Sequence, residues 1–227
     1  MRVAAALVLA LGISVAPSAA QTAAQAAPQT APLAADRLPR FVIDAQGVFG
    51  GLPTEAGWVP AVSANTPLPG HGLGLAGGAT VHVAKLGFTT LGVGGSVLTA
   101  RKNGSPLTNS AGKATTPAVS TQMTSLLPQV SLGFGRRLGW SYLSAGYGVS
   151  KVLSSSTAFG PTPAKTAPEA WNPALNFGGG ARWFMKPHLG ASFDVRFIKL
   201  SSRESTATEP GAKRQQTVSF LVGISIQ

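Results

Sequence analysis

Eight stretches of period-two alternation, joined alternately by long and short connections, predict an all-β chain: a single antiparallel up-and-down eight-stranded transmembrane barrel. A second observation sets the solvent of its outer wall. Bulky apolar side chains share one parity of each strand, while Gly, Ser, Asp and Arg share the other. A water-soluble barrel carries its bulk inside; this pattern places it outside, against hydrocarbon, with the small and polar residues in the lumen. Third, no apolar run after residue 20 approaches the roughly 20 residues that a spanning helix needs.

The hairpin over residues 175–200 shows the pattern most fully. Leu175, Phe177, Gly179, Ala181 and Trp183 alternate with Asn176, Gly178, Gly180 and Arg182. After Met185-Lys186-Pro187-His188, a stretch short enough only for a tight reversal, Leu189, Ala191, Phe193, Val195 and Phe197 alternate with Gly190, Ser192, Asp194 and Arg196.

Taken in order, the first strand is expected over residues 41–50, with Phe41, Ile43 and Phe49 opposite Asp44 and Gln46. A Pro- and Gly-rich loop follows over 51–70. The second strand is expected over 72–84 and the third over 88–101, with an unclear phase at Thr89-Thr90 that suggests a bulge. Residues 102–122 read as a long polar loop. The fourth strand is expected over 126–135 and the fifth over 140–151, with a tight turn at Arg136-Arg137-Leu138-Gly139. A third long loop covers 152–169 and a fourth 201–214, on either side of the hairpin. The eighth strand, 216–226, sets Val218, Phe220, Val222, Ile224 and Ile226 against Thr217, Ser219, Gly223 and Ser225. Short connections at one end and long ones at the other are the arrangement of periplasmic turns and external loops.

Composition agrees with a large lipid-facing surface. Charged residues are 11% of the 227, against about 25% in a typical soluble domain. No cysteine is present, which excludes disulfides and thiol catalysis. The net charge of +11 calls for an anionic neighbour. Met1-Arg2, an apolar run over 3–15 and Pro17-Ser18-Ala19-Ala20 have the form of a secretory signal peptide, residues 1–20, cleaved after Ala20. The Ala-, Gln- and Pro-rich residues 21–39 read as a disordered periplasmic lead-in, and 40–227 as the barrel.

On these features, and on Phe177-Gly178-Gly179-Gly180-Ala181 and Phe193-Asp194-Val195-Arg196 in particular, the chain from Arg40 to Gln227 resembles the small eight-stranded outer-membrane barrels of the OmpA and OmpX kind. The resemblance implies residence in the outer membrane and insertion by its assembly machinery. One departure is the ending Ile224-Ser225-Ile226-Gln227, where such barrels commonly close on Phe or Trp.

The candidate functional residues fall in two groups. Asp44, His82, Arg182, Asp194 and Arg196 share the lumen parity and are expected to form a buried charge network, with Asp194 paired to Arg196. Arg101, Lys102, Lys113, Lys151, Lys165, Lys199, Arg203, Lys213 and Arg214 outnumber Glu55, Glu169, Glu204 and Glu209 in the expected outer loops, a surface suited to lipopolysaccharide phosphates. Trp58, Trp140, Tyr142, Trp171 and Trp183 are expected in aromatic girdles at the two interfaces. Glycine clusters lack the strand–turn–helix setting of a phosphate loop and read as relief of crowding inside a narrow barrel. The functional expectation is a non-enzymatic, monomeric surface barrel contacting outer-membrane lipid, with no cofactor and no nucleic acid. Its rivals are a narrow channel and a lipid A-modifying enzyme built on His71, His82 or His188.

Overall fold

A computed structural model describes residues 38–55, 57–59, 65–167, 169–205 and 211–227. The expected signal peptide and nearly all of the expected lead-in lie outside these residues. The strands are β1 (Phe41–Gly51), β2 (His71–Leu86), β3 (Thr89–Asn103), β4 (Val119–Arg136), β5 (Gly139–Ser156), β6 (Trp171–Phe184), β7 (Leu189–Leu200) and β8 (Gln215–Ile226). Each pairs antiparallel with its neighbour in sequence, and β1 pairs with β8 from Ile43↔Ile226 to Gly50↔Ser219. The sheet is therefore a closed ring. A two-residue ladder, Lys165–Thr166 against Ser155 and Ser156, lies outside it.

Inside and outside follow the expected parity. On β1, Phe41, Ile43, Ala45, Gly47 and Phe49 are exposed while Val42, Asp44, Gln46, Val48 and Gly50 are buried. Leu75 and Val222 are 70% and 63% exposed although both are wholly apolar. Their neighbours of the same parity, among them Leu73, Val81, Leu143, Phe193 and Ile224, are exposed with them. Patches of this extent exceed what a monomeric soluble protein leaves bare.

Four details depart from the sequence expectation. First, β4 and β5 each run 18 residues, well beyond the roughly 9–11 that a tilted crossing needs. The residues expected in loops at 119–122 and 152–156 are strand. There the pattern inverts: Val119, Met123 and Val152 point inward and are buried, whereas Ser120, Gln122 and Lys151 point outward. Above the bilayer the outer wall meets water, so the apolar parity turns to the interior as in a soluble barrel. Second, the bulge lies on β2, where Val83 is extra between His82↔Gly92 and Ala84↔Leu91; its partner strand β3 only reflects it.

Third, Trp58, Trp140 and Tyr142 are buried at 2%, 3% and 4% exposure and form no girdle; only Trp171 and Trp183 face outward. Trp140 and Tyr142 share the parity of Ser144, which is inward, and proximity to a strand end did not override it. Fourth, Leu38, expected in the disordered lead-in, is buried in the mouth at the turn end with Val42, Trp140, Tyr142 and Phe184. A Cβ on Gly133 would stand 2.7 Å from the Leu38 Cδ1, so the missing side chain makes the seat for this residue.

Replacing lipid-facing Val222, well inside β8, by Arg is expected to cost about 2–4 kcal/mol when unfolding is followed by urea titration in phospholipid vesicles. Leu98→Ala, on the lumen face, is expected to cost about 2–5 kcal/mol by opening a cavity. A neutral Val222→Arg would place that wall in water.

Candidate functional site

The lumen is layered by the inward series of its strands. On β1 it reads Val42, Asp44, Gln46, Val48; on β7, Ser192, Asp194, Arg196, Ile198, Leu200. Polar residues thus occupy a stretch flanked by apolar ones. Towards the loops, Val48, Leu98, Leu127, Ile198 and Leu221 pack together with Met123 and Leu200. Towards the turns, Trp140 stacks on Phe184 at 5.2 Å between ring centroids.

In the polar stretch, the Arg182 guanidinium holds Asp44 through two parallel bonds, Nε to Oδ1 at 3.0 Å and Nη2 to Oδ2 at 2.6 Å. The Ser225 hydroxyl donates to the same Oδ1 at 2.5 Å. Arg182 also lies over the Tyr142 ring, 4.2 Å from its centroid. Asp194 accepts from the Tyr142 hydroxyl and from the Gln46 amide, and that amide reaches Ser192 Oγ at 3.1 Å. A Cβ on Gly180 would stand 2.9 Å from the Asp194 carboxyl carbon, so glycine there makes room for the carboxylate. Arg196 donates from Nη1 to Gln129 Oε1 at 2.5 Å.

Asp194 and Arg196 are therefore not each other's hydrogen-bond partners, contrary to the expected pairing. Both project into the lumen from one strand, two residues apart, and each reaches across to a different wall. The close ion pair is Asp44 with Arg182. Nor does His82 join this group by a hydrogen bond: its Nδ1 donates to the Pro39 carbonyl at 2.5 Å, near the turn-end mouth. Gln46, Gln129, Tyr142, Ser192 and Ser225 complete the network, and their inward parity was the signal for them.

At the other end the basic residues divide by position. Arg101 and Lys102 lie on the protruding end of β3 and Lys151 on that of β5; Lys199 is on the outer wall of β7. These four are strand residues, not loop residues, because the strands outlast the membrane. Lys151 pairs with Glu169 and sits 6.0 Å from the Trp171 ring centroid. Arg203 is partly buried: it donates from Nη2 to the Gly57 carbonyl at 2.9 Å and lies 5.6 Å from the Trp58 ring centroid. Trp58 in turn donates to the Lys213 carbonyl at 2.8 Å. Arg203 is thereby a clamp between the first and last loops and not a displayed cation. Arg101, Lys102, Lys113, Lys165, Lys213 and Arg214 remain exposed.

A closed ring, an apolar outer wall and a polar stretch of lumen decide the class. It is a transmembrane β-barrel of the outer-membrane type. Solved structures similar to this barrel include Neisserial surface protein A, at 10% identity and a TM-score of 0.48, covering 83% of this chain and 97% of that one. The attachment invasion locus protein Ail of Yersinia pestis matches at 13% identity and a TM-score of 0.49, covering 82% and 96%. The outer membrane protease OmpT from Escherichia coli matches at 8% and 0.40, covering 82% and 96%. No protein-family model matches the sequence, and no curated protein does. At such identities none of the neighbours' roles passes to this barrel.

Its three histidines are engaged apart from one another. His71 stacks on Phe49 at 5.5 Å, His188 donates from Nδ1 to the Gln227 carbonyl at 3.0 Å, and His82 is held by Pro39. Among the described residues no three His, Asp or Glu side chains converge as a metal site.

Arg182→Ala leaves Asp44 buried without its counter-charge and is expected to cost about 3–5 kcal/mol. In double-mutant cycles read by thermal or urea unfolding, the Asp44/Arg182 coupling is expected to exceed that of Asp194/Arg196. The reverse order would restore the pairing within β7.

Proposed function

We propose that this barrel is a non-enzymatic outer-membrane protein, exported by its signal peptide and inserted by the assembly machinery. It displays an external surface whose exposed cations contact lipopolysaccharide or another anionic lipid. The observation that carries the reading is the filled lumen. Leu98, Met123, Ile198 and Leu200 are fully buried across the loop-side half, and Arg182 and Asp194, each 2% exposed, bridge the walls below them. A barrel of eight strands is only just wide enough for its side chains, and these occupy it, which supports a scaffold over a passage. The scattered histidines support a non-catalytic role over lipid A modification.

The cations belong to this reading because they lie at the loop end: Arg101 is level with the exposed belt residue Leu73 and Lys102 one residue beyond, with Lys213 and Arg214 on the last loop. Phosphates at the membrane surface pair readily with such side chains.

Purified protein in planar bilayers is expected to give no steady conductance; discrete openings of uniform size would favour the channel. The variant Arg101→Gln/Lys102→Gln/Lys213→Gln/Arg214→Gln is expected to lose retention on immobilised lipopolysaccharide, by roughly fivefold for each contacting cation. Undiminished retention would remove the lipid role. A changed lipid A mass on expression would instead identify an enzyme.

A further inference from the structure

The opposite end of the barrel carries its own charge pattern. At four of the five places where the described chain meets the turn-end rim, a basic residue lies beside an exposed large apolar one: Arg40 with Phe41, Lys85 with Leu86, Arg137 with Leu138, and Lys186 with Met185; the fifth is Ile226-Gln227. Phe88, two residues beyond Leu86, is 84% exposed. The described carboxylate side chains all lie elsewhere: Asp44 and Asp194 in the lumen, Glu55, Glu169 and Glu204 in the external loops. Among the described residues the rim side chains thus carry an excess of positive charge.

Arg40 also lies between two clefts. One, of about 450 Å³, is lined by Arg40, Phe41, Arg137 and His188 with Leu38 and Gln227. The other, of about 500 Å³, is lined by Arg40, Val83 and Lys85 beside His82. In each cleft cations adjoin a side chain of the apolar belt, Phe41 in the first and Val83 in the second; these two are 51% and 56% exposed.

We propose that this rim binds anionic glycerophospholipid of the inner leaflet, with Arg40 and Arg137 holding the headgroup phosphate and Phe41 lying against the first carbons of an acyl chain. A cation at headgroup depth beside an apolar wall matches both halves of such a lipid, where a soluble polyanion would use only the charge. The continuity of the cleft with the belt selects the lipid. This site is at the opposite end from the lipopolysaccharide surface and involves none of its residues, so the two readings stand or fall separately.

The test is native mass spectrometry of the full folded chain, loaded with phosphatidylglycerol and phosphatidylcholine of identical acyl chains in equal amounts. Phosphatidylglycerol is expected to be retained about fivefold or more over phosphatidylcholine, since one cation at an anionic surface is worth roughly that factor. Arg40→Gln/Arg137→Gln is expected to bring the ratio close to one, and Lys199→Gln, on the outer wall of β7 and in neither surface, to leave it unchanged. Arg40 and Arg137 are exposed, and retention of the heat-modifiable gel shift confirms that each variant is closed. Equal retention of the two lipids by the native chain would overturn the proposal, as would a ratio that Arg40→Gln/Arg137→Gln leaves unchanged. Full displacement by glycerol phosphate would assign a phosphate pocket, and full displacement by poly-glutamate an acidic protein partner; either would also overturn it.

Discussion

The structure depends on one constraint: in hydrocarbon every backbone N–H and C=O must find its partner within the protein. The ladder between β1 and β8 meets that constraint at the seam, pairing Ile43 through Gly50 with Ile226 through Ser219. Because the first and last strands complete the ring, no edge is left to lipid, and each other feature is accommodated within a wall of fixed circumference. The lumen is narrow for that reason, and so are the choices of what fills it.

Within that wall the polar contents are matched in pairs and clusters. Asp44 receives Arg182 and Ser225; Asp194 receives Tyr142 and Gln46; Arg196 gives to Gln129. A buried charge whose partner is removed costs more than the intact pair contributes, so such a network fixes the relative positions of strands that are far apart in sequence. Arg182 ties β6 to β1 across the lumen, and Gln46 does the same for β1 and β7. Apolar layers pack above and below it.

Much of this was legible in the residues. Alternation located all eight strands, and parity alone assigned Asp44, Arg182, Asp194 and Arg196 to the interior. What it could not supply was depth. The inversion at Val119-Ser120-Thr121-Gln122-Met123 looks like a loop when a single lipid-out rule is applied throughout, because that rule holds only where the wall touches hydrocarbon. Partner choice was hidden for a related reason: Asp194 and Arg196 are near in sequence, yet side chains pointing into a narrow tube meet those of the opposite wall more readily than each other. Trp140 and Tyr142 lie near a strand end, as girdle residues do, but their parity places them inside. Leu38 had no periodicity to mark it, since its burial depends on a gap left by Gly133 on a distant strand.

The clamp formed by Trp58, Arg203 and the Lys213 carbonyl has a consequence for how the molecule meets its surroundings. The first and last loops are fastened together, while the connections over residues 104–118 and 157–170 bear no such fastening to them among the described contacts. The exposed crown is thus two-sided: one pair of loops is joined through Arg203 and Trp58, the other through the backbone of Ala118 and Thr157 and the short ladder of Lys165–Thr166 on β5. A change in the length of one loop therefore bears on the loop joined to it, and the crown responds to insertion in pairs of loops.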